Sequence, residues 1–203
     1  MNIGVMGGTF DPIHNGHIVV AEEARTRLNL AEVLFMPAGQ PWLKADRNVT
    51  PAEHRVEMVR LAIADRPYFK LSTIEVERRG PTYTADTLVD LRDQLEPEDA
   101  LYFIVGWDDL AQLPQWQKPS QLVQLCFIVA VPRPGCPPPE LESLDNDIPA
   151  LSQRVINLDK PEIDISASEI RDRVARGLPI GHLVPAPVER YIKQHKLYLE
   201  KGQ

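Results

Sequence analysis

The stretch Ile3-Gly4-Val5-Met6-Gly7-Gly8-Thr9-Phe10-Asp11-Pro12-Ile13-His14-Asn15-Gly16-His17 decides how the rest of the chain is read. Its first residues are a short apolar run of the kind that forms a buried strand. Gly7 and Gly8 follow where the chain turns, and glycine there lets backbone approach a ligand closely. Asn15 is a candidate helix cap, and Ile18, Ala21, Ala24 and Leu28 then recur at helical spacing. Strand, glycine turn and helix start make a phosphate-binding layout, because free backbone N–H groups and the positive end of the helix dipole favour an anion. His14 and His17 stand together at that helix start, where imidazoles can donate to phosphate oxygens and a phosphate favours their charged form. The same pair reads as metal ligands too, but no third ligand at convincing spacing accompanies it. The glycine-x-glycine-x-x-glycine fingerprint of a dehydrogenase is incomplete here.

Working outward, further buried strands are expected at 33–36, 69–72, 101–105, 126–131 and 155–158, with helical patterns at 52–64, 84–95, 167–176 and 186–199. Residues 107–125 read as two short helices around Pro114. Strands alternating with helices mean βαβ units and right-handed crossovers. The expected fold is therefore a Rossmann-like three-layer α/β/α with a mainly parallel sheet. We expect one domain over 1–203, with a helical C-terminal portion from about residue 160. Pro134 to Pro139 holds four prolines and a glycine and reads as a loop. The acidic, proline-containing stretch on to Pro149 is expected to be mobile or to cover surface.

The 203 residues are 43% hydrophobic and 25% charged, an ordinary globular balance. A net charge of −7 gives no basic field for a nucleic acid polymer, so positive charge for phosphates must be concentrated locally. Cys126 and Cys136 make neither a disulfide framework nor a zinc site. No apolar run approaches the roughly 20 residues needed to span a bilayer. The N-terminus lacks a secretory pattern, which makes a reducing cytoplasm the default location. Ser166 to Arg171 opens a helical pattern with serines and places an arginine one turn in, a second candidate anion site.

The opening motif resembles that of the nucleotidyltransferase superfamily marked by His-x-Gly-His, and the chain is similar over nearly its whole length to bacterial nicotinate-nucleotide adenylyltransferases. The later segments that carry the resemblance are Gly80-Pro81-Thr82-Tyr83-Thr84-Ala85-Asp86-Thr87-Leu88, Phe103-Ile104-Val105-Gly106-Trp107-Asp108, Leu113-Pro114-Gln115-Trp116 and Ile165-Ser166-Ala167-Ser168-Glu169-Ile170-Arg171. The family usually reads Ile-Ser-Ser-Thr-x-Ile-Arg in the last of these. Here Ala167 replaces the second serine and Ser168 keeps a hydroxyl where threonine is usual.

The resemblance implies a set of roles. Gly7, Gly8, Thr9, Phe10, Gly106, Asp108, Ile165, Ser166 and Ser168 would meet ATP, with Asp108 accepting from ribose hydroxyls. His14, His17, Lys44 and Arg171 would stabilise charge on the phosphates. Tyr83 and Thr84 would offer backbone donors to the nicotinate carboxylate. Trp116 would give an indole face to the pyridinium ring, an attraction of about 0.5–2 kcal/mol. Arg133 is a further candidate for phosphate or nucleotide contact. His54 and Arg55 extend the positive rim or only meet solvent. Mg²⁺ would arrive with ATP and be held mostly by phosphates and water.

The implied reaction joins nicotinate mononucleotide to the AMP portion of ATP, giving deamido-NAD and pyrophosphate. Nicotinamide mononucleotide, or both mononucleotides, is the nearest alternative substrate; a non-catalytic dinucleotide-binding module is a more distant one. Neither a nucleic acid polymer nor a membrane is an expected partner, and a homo-oligomer is left open.

Overall fold

The structure is a computed structural model, described here for residues 1–40, 49–78, 80 and 82–199. Six strands form one sheet: β1 (Asn2–Gly8), β2 (Glu32–Pro37), β3 (Phe69–Leu71), β4 (Ala100–Gly106), β5 (Phe127–Val131) and β6 (Val155–Asn157). Their order is β3-β2-β1-β4-β5-β6, and every neighbouring pair is parallel. The order reverses between β1 and β4, so the crevice beyond their carboxyl ends is where an open α/β sheet receives a ligand.

The strands are continuous apolar runs because both faces of the sheet are covered. On one face Met6, Phe35, Ile104 and Val129 pack with Ala21, Met58, Ile170 and Val188. These come from α1 (Asn15–Arg27), α2 (Ala52–Ile63), α8 (Ala167–Ala175) and α9 (Ala186–Gln194). On the other face Val5, Phe103 and Ile128 pack with Leu88, Leu110 and Leu122. These come from α4 (Thr84–Arg92), α5 (Trp107–Ala111) and α6 (Pro119–Leu125). A 3₁₀ turn, Leu113–Gln115, links α5 to α6. The expected three layers are present, with all rather than most strand pairs parallel.

Two elements depart from the sequence reading. A four-residue helix, α3 (Ile74–Glu77), follows β3 where no element was expected. The stretch before Pro149 is not merely surface covering. It forms α7 (Leu141–Leu144), and Ile148 and Leu151 beyond it are fully buried in the second core. Asp145 fastens this segment by accepting from the Ser152 backbone N–H at 2.8 Å and from its hydroxyl at 2.5 Å. Cys126 lies in the same core as a free thiol, its pKa pushed up to about 12 by burial. Among the described residues no helix is long and apolar enough to cross a membrane.

Candidate active site

β1 and β4 both end in glycine, at Gly8 and Gly106, on the two sides of the crevice. Beyond Gly8 the chain bends sharply. Phe10 sits at φ +49°, in the left-handed region, and the Asp11–Pro12 peptide is cis. The Phe10 ring is buried, edge-on to His17 with centroids 5.0 Å apart and tilted against Phe35 at 6.0 Å. The Phe10 side chain is thus a core residue, and any contact of this position with a nucleotide would fall to its backbone.

His14, not Asn15, is the N-cap of α1. Asn15 instead ties the helix start to the chain ahead of α9: its backbone N–H donates to the Leu183 carbonyl at 2.8 Å, and its side-chain amide to that of His182 at 3.2 Å. The His14 and His17 rings stack with centroids 3.7 Å apart. The His14 backbone N–H donates to His17 Nδ1 at 3.2 Å, which leaves the proton of a neutral His17 on Nε2. His14 is buried, and its Nδ1 has no hydrogen-bond partner among the described residues. Burial, and then the charge of Arg133, pull its pKa down to about 4. Gly16 makes this packing possible, since a Cβ there would stand 3.0 Å from His14 Nδ1 and 3.1 Å from the Ile163 side chain.

Opposite this pair lies the start of α8. Ser166 caps it, accepting from the Glu169 N–H at 3.1 Å. Arg171 donates through Nη2 to Ser168 Oγ at 3.2 Å and through Nη1 to the Asp11 carbonyl at 2.7 Å. The Ser/Arg segment and the opening motif therefore meet, although 160 residues separate Asp11 from Arg171. Ile165, just before this helix, packs against the first core.

On the β4 side, Asp108 Oδ2 pairs with Arg133 Nη1 at 3.0 Å, while Asp108 Oδ1 is buried and has no hydrogen-bond partner among the described residues. A Cβ on Gly106 would lie 2.4 Å from that same Oδ1, so only glycine lets the carboxylate fold back over the strand end. Arg133 thus sits with Asp108 and close enough to His14 to act on its proton affinity.

Tyr83 is the N-cap of α4, and Thr84 is its first residue. Trp116 follows the 3₁₀ turn, edge-on to Phe103 with centroids 6.1 Å apart, and its buried indole N–H has no partner among the described residues. Lys118 closes this corner by donating to Asp86 in the first turn of α4 at 2.7 Å. Lys44 lies outside the described residues. Among the described residues, no group of three or more His, Cys, Asp or Glu side chains is placed to hold a metal ion.

Sequence reasoning missed the groups that hold this cleft in shape. Arg55 is not part of a solvent rim: it is 2% exposed. Its guanidinium donates from Nε to the Thr50 carbonyl and from Nη1 to the Thr9 and Ala38 carbonyls, each at 2.8 Å, and from Nη2 to that of Gly39 at 3.1 Å. Burial lowers its pKa, and the nearby Asp11 opposes that. His54 turns the other way and is hydrogen bonded through Nδ1 to the Tyr191 hydroxyl at 2.9 Å. Glu75 is buried beneath the α4 start and accepts from the Thr87 hydroxyl at 3.0 Å. Burial raises its pKa, against the pull of hydrogen bonds from Thr87 and neighbouring groups.

The cytidylyltransferase-like family model matches residues 5–173. A "Probable nicotinate-nucleotide adenylyltransferase" of Dehalococcoides mccartyi (strain CBDB1) is 52% identical over 201 residues, covering 99% of this chain and 98% of the relative. A protein of the same name from Roseiflexus sp. (strain RS-1) is 47% identical over 196 residues, covering 97% of each. Among solved structures, the Plasmodium falciparum nicotinic acid mononucleotide adenylyltransferase complexed with NaAD superposes with a TM-score of 0.79 at 22% identity, over 97% of both chains, a likeness of fold. The chain belongs to the cytidylyltransferase-like family, in its nicotinate-nucleotide adenylyltransferase branch.

Proposed function

We propose that this chain transfers the adenylyl group of ATP to nicotinate mononucleotide. An oxygen of the mononucleotide phosphate attacks the α-phosphorus of ATP, the bond from that phosphorus to the β-phosphate bridge breaks, and pyrophosphate leaves with the electron pair. The product is deamido-NAD. The observation that carries this reading is the meeting of Arg171 with Asp11, which brings the Ser168–Arg171 helix start to the same turn, beyond the carboxyl end of β1, that leads into His14 and His17. The full-length likeness to relatives named for this reaction supports the same substrates.

The attacking phosphate has a second pKa near 6, so it is largely dianionic at pH 7 and needs no general base. Catalysis then consists of aligning two anions and stabilising charge on the departing pyrophosphate. His17 Nε2–H, Arg171 and Ser168 serve the phosphates, as does Lys44. A phosphate beside His14 raises the proton affinity that burial has lowered. Asp108 Oδ1, an acceptor with open capacity, takes a ribose hydroxyl. The Tyr83–Thr84 helix start receives the nicotinate carboxylate, and Trp116 flanks the ring. Mg²⁺ enters as part of the ATP substrate, held by phosphates and water.

Pyrophosphate release from ATP across a panel of phosphorylated acceptors tests the assignment. Nicotinate mononucleotide should be the preferred acceptor; preference for nicotinamide mononucleotide would overturn the substrate, and release with no acceptor would overturn the function. His17→Ala should lower turnover about 10²-fold or more, the scale of losing a donor to developing charge.

A further inference from the structure

The turn that carries the histidines is gripped from behind by the tail of the chain. Asp11 is buried, and each of its oxygens has a separate partner. Oδ1 accepts from the Tyr198 hydroxyl at 2.8 Å, Oδ2 from the Thr50 backbone N–H at 3.2 Å, and the peptide carbonyl from Arg171 Nη1 at 2.7 Å. Tyr198 itself stands at φ +64°, a left-handed conformation that a residue with a Cβ keeps only when its surroundings hold it there. Phe10, next to Asp11, is left-handed as well. Two such residues therefore flank the Asp11–Tyr198 contact, one on each side. The Tyr198 hydroxyl also lies 4.0 Å from Met58 Sδ on α2, so the ring fills the space between α2 and the turn.

We propose that Tyr198 is a positioning residue for the phosphate site: through the Asp11 carboxylate it orients the Asp11 peptide, and so fixes where Arg171 presents its guanidinium. Arg171 has one Nη on the Asp11 carbonyl and the other on Ser168, and this two-point hold directs its planar fork. Without the tyrosine hydroxyl, the Asp11 side chain keeps, among the described residues, the Thr50 N–H, and the carbonyl on the same residue is held less firmly against Arg171. Burial and the neighbouring Asp11 keep the Tyr198 phenol protonated, so it remains the donor of this pair across the working pH range. The inference rests on the phosphate role proposed for Arg171.

A double-mutant cycle tests it in the full-length chain. Tyr198→Phe and Arg171→Ala are compared singly and together, well below their melting temperatures, by steady-state pyrophosphate release and by calorimetric ATP binding. Tyr198→Phe should lower kcat about tenfold with the KM for nicotinate mononucleotide within about twofold of the parent. In the Arg171→Ala background the same change should cost less than about twofold in kcat and in ATP affinity. Equal losses in both backgrounds would overturn the proposal, as would a parent-like kcat accompanied only by a lower melting temperature. Asp11→Asn, which retains a single acceptor oxygen for two donors, is the second variant and should follow the same pattern if Tyr198→Phe folds poorly. A parent enzyme silent with every acceptor refutes the proposed function instead, and the ATP-binding cycle then decides this inference by itself.

Discussion

Replacing Arg55 by leucine removes one side chain that four backbone carbonyls share, those of Thr9, Ala38, Gly39 and Thr50. A hydrogen bond from a charged donor contributes about 1.5–3 kcal/mol, so four taken at face value would exceed the stability of many domains. The realistic loss is smaller, because all four of these residues are only half-buried, so water can replace the guanidinium at part of the set. Breaking a buried charged network by removing one partner costs about 3–5 kcal/mol, and we expect Arg55→Leu to fall there. For a chain of this size that corresponds to roughly 10 °C in melting temperature. Urea unfolding at pH 7 measures it, with Arg60→Leu on the exposed side of the same helix as the control. The control residue, exposed and paired with Glu57 on its own helix, should change stability by less than about 1 kcal/mol. Arg55→Lys keeps the charge, but a single ammonium cannot span four carbonyls, so it should recover less than half of the loss. A loss at Arg55→Leu of under about 1 kcal/mol, or one equal to the control, would refute the idea that this guanidinium holds the cleft floor together.

Two further outcomes follow from the cleft. His14 has a pKa near 4 in the fold against 6.5 when unfolded, so between those values the unfolded chain takes up a proton that the folded chain does not. Stability should therefore fall as pH drops from about 6.5 toward 4, with about 2 kcal/mol of that fall between pH 7 and 5; urea midpoints of His14→Gln should lack this component. Gly39→Ala places a Cβ 2.2 Å from the Glu75 carbonyl oxygen, a backbone atom that cannot step aside, and should cost about 1–3 kcal/mol; an unchanged urea midpoint would count against that contact.

The legible parts of this molecule are those in which one residue type carries its own meaning. The apolar runs at 3–6 and 101–105 read as buried strands because they are short, bounded by glycine and lie in a sheet covered on both faces. Glycine turns and serine-capped helix starts advertise anion sites, which is why His14, His17, Ser168 and Arg171 stand out in the sequence; the structure stacks the two histidines and brings Arg171 to the turn before them. Arg55 was not, because an arginine near a helix start ordinarily meets solvent, and only three-dimensional closure brings the carbonyls of residues 9, 38, 39 and 50 around it. Asp11 stood in the quoted motif with no role, since its partners lie 39, 160 and 187 residues away. Phe10 stands in the same motif, and its left-handed φ of +49° and buried ring were not legible from the residue types around it. The segment before Pro149 did carry a signal. Leu141, Leu144, Ile148 and Leu151 are spaced three, four and three residues apart, a helical rhythm hidden among acids and prolines.

The bond between Tyr198 and Asp11 also sets an order of events during synthesis. Tyr198 follows Asp11 by 187 residues, so at about 5–20 residues per second of synthesis it emerges many seconds after the histidine-bearing turn. For that interval the motif is present without the contacts that shape it, because Arg171 and Tyr198 do not yet exist. The shape of this turn is therefore completed only after residue 198 has been made, and a shorter nascent copy lacks the bonds that Arg171 and Tyr198 make to Asp11.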